Sequence, residues 1–580
     1  MKSSESRERD SLPESHVPKV DTVDSHRRKD RRWQTRIARS HILRTTLFAS
    51  SVVCLVIPDI LFFQSDSIPH PLAVLGRVFL LLSLLLAVLW ATKSLFWAYL
   101  IVGIPYVLSS SIEITNVSIL SSFIEAEGLQ ALRYTTSGEI EEFIGGFRSY
   151  VLMSFVVIAI YAYFLYRYRS ISLVIKNRTT LILLASLCLL LSCMISTAGV
   201  VNSSLYYSGQ NLLWMGLKRY YIQRHPFNLY YQIRAVAKSD YQIYRFKEAK
   251  ESYRFGVQRT IDATSPKIVV FVIGERIRYG NWSLNGYARE TSPNLDKIEN
   301  LISFDEHYSN GNATYTSIPL MITQATPQTY GEIYAQKTII SLFKEAGYET
   351  HWISNQNVFE YLGNEKESDF TYELFRTRAG DIGLIPAFDS VVRNNPSRNK
   401  LIVINMVGGH GRVPSRFRVF SPNSGDGYTP VSRENAPILV NDYDNMILLQ
   451  DYVLSELIHL TDKQGVSAVL LFASDHASNL FDDGTNLFAY GSAHPTEKET
   501  HIPLFIWGSH DFVEGNEKFS NLRNHKNLLT TNNDIFSTLA DLANIQYESF
   551  VRQKSIADSS YVEPSSRFVY VHNEVMEFKR

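Results

Sequence analysis

Apolar and polar positions along this chain follow two different patterns. Up to about residue 200 the apolar residues come in unbroken runs, at 42–63, 71–92, 95–113, 149–168 and 179–200. Each is near the ~20 residues that a membrane-spanning helix requires. Runs such as Leu80-Leu81-Leu82-Ser83-Leu84-Leu85-Leu86 have no polar face to offer water, so they do not read as core helices of a soluble domain. Beyond residue 265 the apolar stretches are short, at 268–273, 350–354, 401–406, 466–473 and 502–507, and they alternate with helical patterns near 329–347, 440–463 and 533–543. Such alternation predicts a central, mostly parallel sheet between helices, with any site at the carboxyl ends of its strands. The expected organisation is a polar tail (1–40), a five-helix transmembrane domain (41–200), a linker (201–264) and an α/β domain (265–580).

Charge refines this picture. Lys+Arg 57 balances Asp+Glu 57, so the whole chain shows no basic excess for nucleic acid. The basic residues are nevertheless unevenly placed. Arg27, Arg28, Lys29, Arg31, Arg32, Arg36 and Arg39 crowd a tail without core pattern that reads as disordered and cytosolic, not as a cleavable signal. With the first helix running outward, the tail, Lys93 and the Arg167–Arg178 loop share one side, and everything after residue 200 lies outside the cytosol. Arg77, near the start of the second span, reads as a snorkelling side chain. The segment 114–148 mixes Ile119, Leu120, Phe123, Ile124, Phe143 and Ile144 with Glu125, Glu127, Glu139, Glu141 and Glu142, as an amphipathic helix on the outer membrane surface would. Over 205–250, Tyr206, Tyr207, Trp214, Tyr220, Tyr230, Tyr231, Tyr241 and Tyr244 stand among Lys and Arg, which predicts an interfacial bridging helix. Cys54, Cys188 and Cys193 all fall inside predicted spans, leaving no disulfide for the α/β domain.

Candidate chemistry gathers where strands are expected to end. The run 268–273 turns at Gly274 to present Glu275, and the run ending at Ala473 leads into Ser474-Asp475-His476. After Met406 comes Val407-Gly408-Gly409-His410-Gly411, whose glycines let backbone approach a ligand. The stretch Asn310-Gly311-Asn312-Ala313-Thr314-Tyr315-Thr316-Ser317-Ile318-Pro319 reads as a helix start, capped by Thr316 or Ser317 with a proline in its first turn. A hydroxyl just ahead of such a start lies where backbone N–H groups favour a phosphate.

The segment from Gly274-Glu275-Arg276-Ile277-Arg278 through Asn281-Trp282-Ser283-Leu284-Asn285-Gly286-Tyr287-Ala288-Arg289-Glu290-Thr291-Ser292-Pro293 resembles the phosphoethanolamine transferases of the alkaline-phosphatase/sulfatase-like superfamily. These read Gly-Glu-Ser-x-Arg and then Asn-x-Ser-Leu-x-Gly-Tyr-x-Arg-x-Thr-x-Pro. The resemblance implies that Glu275, Asp475 and His476 bind Zn2+, that Thr314 is both nucleophile and metal contact, and that His410 contacts the transferred phosphate or leaving group. It also implies that the external loop meets the lipid donor, with Thr135 and Glu139 matching a Thr-x-x-x-Glu pattern; a solvated helix face is the plainer reading of those glutamates. Several positions depart from the family pattern. Arg276 replaces a serine, and Ala477-Ser478 follow His476. Tyr490 stands where a second site histidine is usual, unless His494 replaces that histidine. Asn310 and Leu320 stand where many members carry a pair of cysteines, which points to the branch acting on lipopolysaccharide core.

The function thus implied is transfer of phosphoethanolamine from phosphatidylethanolamine, through a covalent threonine intermediate, to a cell-envelope glycan such as lipopolysaccharide core or lipid A. The protein would be a monomer in a bacterial inner membrane, with its catalytic domain in the periplasm. The runner-up is a phosphoglycerol transferase of the lipoteichoic-acid-synthase type, against which stand the 281–293 signature and the Asn441-Asp442-Tyr443-Asp444-Asn445 run. An inactive membrane scaffold is the reading from a different class.

Overall fold

The computed structural model describes residues 45–65, 71–120, 123–124, 126–135, 137–171, 177–201, 221–259, 264–356, 367–375, 379–410, 413–421, 429–484, 487–492, 494–571 and 573–579. The basic tail, Tyr206, Tyr207, Trp214, Tyr220, Glu125 and Gly411 lie outside the described residues.

Among the described residues, four helices are long and apolar enough to cross a membrane: Val74–Thr92, Leu95–Ile119, Phe143–Arg169 and Arg178–Ile195. The expected count of five is not reproduced. The run at 42–63 is divided into a short apolar helix, Thr45–Leu55, and a second, Ile57–Ser65, with a turn at Val56. Pro58 has no N–H to give to a carbonyl one turn back, which accounts for the break. Arg77 does not snorkel. It is buried and lies 2.5 Å from the carboxylate of Asp59, a pairing that a guanidinium among apolar helices requires.

The segment 114–148 is not a single surface helix. Its first part completes the helix Leu95–Leu120, its last part opens the helix Ser137–Arg169, which is kinked at Phe147, and only Ala126–Tyr134 forms a short helix between them. The bridging helix spans Phe227–Ser252 and leaves Tyr241 and Tyr244 exposed. Its first turn is tied to the second long helix, Leu95–Leu120, through Glu113, which accepts hydrogen bonds from the Asn228 amide at 3.0 Å and from the Ile124 N–H at 2.7 Å.

The C-terminal region is built on a seven-stranded sheet. In chain order its strands are β1 (Ile268–Gly274), β2 (Leu301–Ser303), β3 (Glu349–Ser354), β4 (Phe370–Glu373), β5 (Lys400–Asn405), β6 (Ala468–Ser474) and β7 (Leu504–Gly508). They lie in the order β2-β7-β6-β1-β5-β3-β4. Strand β1 is central and pairs in parallel with β5 and β6, with Ile273 opposite Asn405 and Gly274 opposite Ser474. That register sets Glu275 and Asp475 side by side. Strand β7 runs antiparallel to β6, because the chain leaves β6 at the site end, stays there through residue 501 and re-enters the sheet from that end.

Alternation along β1 sends Val269, Phe271 and Ile273 into one core and Ile268, Val270 and Val272 into the other. The first core is covered by helices Thr314–Ile322, Ile339–Glu345 and Asn532–Leu542, and the second by Leu384–Arg393 and Ala436–Asp462. The helical pattern expected at 329–347 is a 3-10 stretch, Pro327–Tyr334, followed by the helix from Ile339.

Candidate metal centre

Two strand ends and one helix start meet at the carboxyl edge of the sheet. Glu275 follows β1, Asp475 and His476 follow β6, and Thr314 opens the helix Thr314–Ile322. Glu275, Asp475 and His476 are buried and offer ligand atoms within 4.8 Å of one another. The Thr314 hydroxyl donates to Glu275 Oε2 at 3.1 Å and lies 3.3 Å from His476 Nε2. His476 Nε2 is 3.4 Å from both Glu275 Oε1 and Asp475 Oδ2. Ligands about 2.0 Å from a tetrahedral centre stand about 3.3 Å apart, so these spacings fit a small cation between them.

The polar atoms at this point suit such a cation. Glu275 Oε1 and Asp475 Oδ2 are buried without a hydrogen-bond partner. His476 Nδ1 meets only the carbonyl oxygen of Ala477, at 2.9 Å, so it carries the proton and Nε2 keeps its lone pair. Burial pushes Asp475 upward and the neighbouring Glu275 charge adds to the rise. Burial would also raise Glu275, but His476 and His410 outweigh it and hold that carboxylate low. Burial alone would lower His476, yet the two carboxylates raise it. Two buried carboxylates this close cannot both be charged unless a positive charge lies between them, the condition in which a bound cation replaces protons.

The glycines beside the site are there for space. At Gly408 (φ +43°) a Cβ would lie 3.0 Å from Glu275 Cβ, and at Gly409 one would lie 2.9 Å from Arg276 Cβ. The loop is fixed by buried Asp381, which accepts the Val407 and Gly408 N–H groups at 2.9 Å each. His410 Nε2 is thereby set 3.5 Å from Glu275 Oε1. Gln356, which no motif in the chain marks, also reaches this point and donates to Glu275 Oε2 at 3.1 Å.

The other candidates separate. His494 is exposed, and Tyr490 takes the place beside the site: its ring lies 4.2 Å from the His476 ring and its hydroxyl 3.1 Å from His410 Nε2. Thr135 is half-buried just after the short helix Ala126–Tyr134. Glu139 falls in the first turn of the next helix, and its side chain lies outside the described residues. The helix Ala126–Tyr134 does reach the segment that carries Thr314, since the Tyr315 hydroxyl donates to the Gln130 carbonyl at 2.9 Å.

The helix start also differs from expectation. Ala313 is the N-cap residue, Thr314 opens the first turn and Pro319 lies in the interior. Neither Thr316 nor Ser317 caps. The Thr316 hydroxyl donates backwards to the Ala313 carbonyl at 2.9 Å.

The signature at 281–293 has a structural explanation. Buried Asp444 accepts hydrogen bonds from the Asn281 amide (2.8 Å), the Tyr287 hydroxyl (2.9 Å) and the Arg289 guanidinium (2.8 Å). These residues anchor the segment after β1 to the helix Ala436–Asp462 and do not touch the candidate ligands.

Residues 267–545 match the Sulfatase family model. The chain is 26% identical over 336 residues to the phosphoethanolamine transferase EptC of Escherichia coli (strain K12), covering 54% of this chain and 57% of that one. It is 26% identical over 321 residues to the phosphatidylethanolamine transferase Mcr-2 of Escherichia coli, covering 50% and 58%. It therefore spans little more than half the length of these relatives. The solved integral membrane lipooligosaccharide phosphoethanolamine transferase A of Neisseria meningitidis covers 89% of this chain and 98% of its own, with a TM-score of 0.69 and 20% identity. That likeness extends the shared fold across the membrane helices.

Proposed function

We propose that this protein is a membrane phosphoethanolamine transferase that takes its group from phosphatidylethanolamine and passes it to a cell-envelope glycan, with lipopolysaccharide core or lipid A as the favoured acceptors. The observation that carries this reading is the meeting of the Thr314 hydroxyl with Glu275 Oε2 and His476 Nε2 at 3.1 and 3.3 Å, beside unpartnered carboxylate oxygens. The relatives named as phosphoethanolamine and phosphatidylethanolamine transferases support the substrate class.

Glu275, Asp475 and His476 would hold zinc, with Thr314 as the fourth contact. When bound, the metal supplies Lewis acidity that makes a threonine hydroxyl a competent nucleophile near neutral pH. In the first displacement the Thr314 Oγ–phosphorus bond forms as the bond from phosphorus to the diacylglycerol oxygen breaks, and the threonine's proton ends on diacylglycerol. In the second, the oxygen of an acceptor hydroxyl or phosphate O–H forms its bond to phosphorus as the Thr314 Oγ–phosphorus bond breaks, and the acceptor's proton passes to Thr314 Oγ. The first turn of the Thr314 helix and His410 hold phosphoryl oxygens during both steps.

The contact between Tyr315 and the helix Ala126–Tyr134 supports entry of the donor from the membrane surface, and the basic N-terminal tail supports a cytosolic N-terminus with the sulfatase-like domain in the periplasm. The test is mass spectrometry of protein incubated with phosphatidylethanolamine and no acceptor. The expected result is a phosphoethanolamine adduct on the Thr314 peptide together with release of diacylglycerol. Release of phosphatidic acid without an adduct would refute the reading.

A further inference from the structure

Two departures from the transferase pattern, far apart in sequence, meet at one point. Arg276 stands where the family has serine and Tyr490 where it has histidine. In the fold the Arg276 guanidinium lies 5.1 Å from the Tyr490 ring centroid, and both side chains bracket His410. Arg276 Nη1 is 3.5 Å from His410 Nδ1, and the Tyr490 hydroxyl is 3.1 Å from His410 Nε2. Arg276 Nε donates to Ser478 Oγ at 3.1 Å, which holds the guanidinium in place.

Left-handed backbone occurs at Arg276 and next to Tyr490. Arg276 has φ +62° and Ala489, just before Tyr490, has φ +64°, conformations that non-glycine residues adopt at a cost. Gly409 is also bare on the side facing Arg276, where a Cβ would lie 3.3 Å from its Cδ and 3.5 Å from its Nε. The loop bearing Tyr490 is pinned to the nucleophile segment, because the Gly491 N–H donates to the Asn312 carbonyl at 3.0 Å. Strain, clearance and anchoring all serve one arrangement.

Its chemical effect follows from donor rules. A guanidinium can only donate, so His410 Nδ1 is the acceptor and the ring's proton is on Nε2, directed to the space shared by Glu275 Oε1 and the Tyr490 hydroxyl. Glu275 and Asp475 offset the charge of one divalent ion. A phosphodiester under attack gains further negative charge, which needs a second source of positive charge or donors. We propose that Arg276 and Tyr490 are positioning residues that make this a one-metal centre, in which the guanidinium, acting through His410, does the work of a second cation toward a phosphoryl oxyanion. Tyr490 puts an aromatic face 4.2 Å from the His476 ring and a phenol, which is no strong metal ligand, beside His410 Nε2. This inference rests on the functional reading above.

The experiment measures zinc per chain by elemental analysis of the full-length protein in detergent after equilibrium dialysis. One zinc ion is expected for the wild type, and a rise towards two for the Arg276→Ser/Tyr490→His double variant. Transfer kinetics supply a second readout that does not depend on that variant folding. Arg276→Met is expected to lower kcat by roughly 10²-fold with zinc content and KM little changed, and Arg276→Lys to regain part of the loss. Two zinc ions in active wild-type protein, a double variant that folds yet stays at one, or an Arg276→Met variant with undiminished kcat would each overturn the inference. Wild-type protein without zinc would overturn the metal-centre reading and this inference with it.

Discussion

The main-chain N–H of Asn533 donates to the side-chain carbonyl oxygen of Asn310 at 2.9 Å, and the Asn533 side-chain amide donates onward to the carbonyls of Leu320 (3.3 Å) and Ala325 (2.8 Å). Hydrogen bonds thus tie the two positions at which many transferases carry cysteines, on either side of Thr314. The Asn310 amide is itself held by the Phe568 carbonyl at 2.9 Å. Replacing Asn533 by alanine leaves two carbonyls short of a donor, so Asn533→Ala is expected to destabilise the domain by ~1–3 kcal/mol. Thermal melting of wild type and variant checks this. The wild-type midpoint of the domain should not move with reductant, since all three cysteines precede residue 200.

Much of this architecture is legible in sequence because its signals are local. Short strands buried on both faces read as continuous apolar runs, and β1, β5 and β6 fall where such runs predict. Glu275 and Asp475-His476 were legible because each directly follows one of those strands. What escaped depends on partners distant in the chain. Leu301–Ser303 and Phe370–Glu373 are short edge strands without a distinctive pattern, recruited by β7 and β3. Gln356 and Asp381 are polar residues in loops, and nothing near them reveals that they brace Glu275 and the Gly408 turn. Arg77 looked like a snorkelling side chain because the sequence does not bring Asp59 beside it. The 281–293 signature was legible as a pattern, but its purpose appears only when Asp444 meets Asn281, Tyr287 and Arg289.

The metal reading predicts that Asp475→Ala loses most of its bound zinc, because it removes one of three buried ligand atoms that lie within 4.8 Å of each other. The fold should survive, since the alanine also removes a partly unsatisfied buried carboxylate. Elemental analysis alongside circular dichroism separates the two effects. Full zinc retention in a folded variant would count against the assignment of Glu275, Asp475 and His476 as the ligands.

His307 gives the domain an acid-sensitive element. Its ring is buried between Thr530 Oγ1 (Nδ1, 2.8 Å) and Asn532 Oδ1 (Nε2, 3.1 Å), and burial pushes its pKa down to about 3. In the unfolded chain a histidine titrates near ~6.5, so below that pH the unfolded state binds a proton that the native state refuses. The sign is therefore a loss of stability as pH falls from ~6.5 towards 3, at ~1.4 kcal/mol per pH unit from this group. Glutamine cannot take up that proton. His307→Gln should lower stability at neutral pH but lose about 2 kcal/mol less than wild type between pH 7 and pH 5. Denaturant melts at the two pH values decide, and parallel losses in both proteins would refute the attribution.

Thr314 and Thr316 are two residues apart on one helical turn, yet their hydroxyls have different work. Thr314 Oγ1 donates into the carboxylate of Glu275, whereas Thr316 Oγ1 donates to the Ala313 carbonyl within its own helix. Removing the first hydroxyl takes away the proposed nucleophile, so Thr314→Ala should abolish both the covalent adduct and transfer, with a melting midpoint near that of wild type. Removing the second leaves the Ala313 carbonyl with the N–H groups of Thr316 and Ser317, which already donate to it at 3.0 and 2.9 Å. Thr316→Ala is therefore expected to cost at most ~1 kcal/mol and to retain most of the activity. Space near Gly311 sharpens the contrast, because a Cβ there would lie 2.5 Å from Thr316 Oγ1. Thr316 thus packs against the loop and does not face the candidate ligands. Peptide mapping of the adduct gives the decision: phosphoethanolamine on Thr316, or undiminished transfer by Thr314→Ala, would overturn the assignment of Thr314 as the nucleophile.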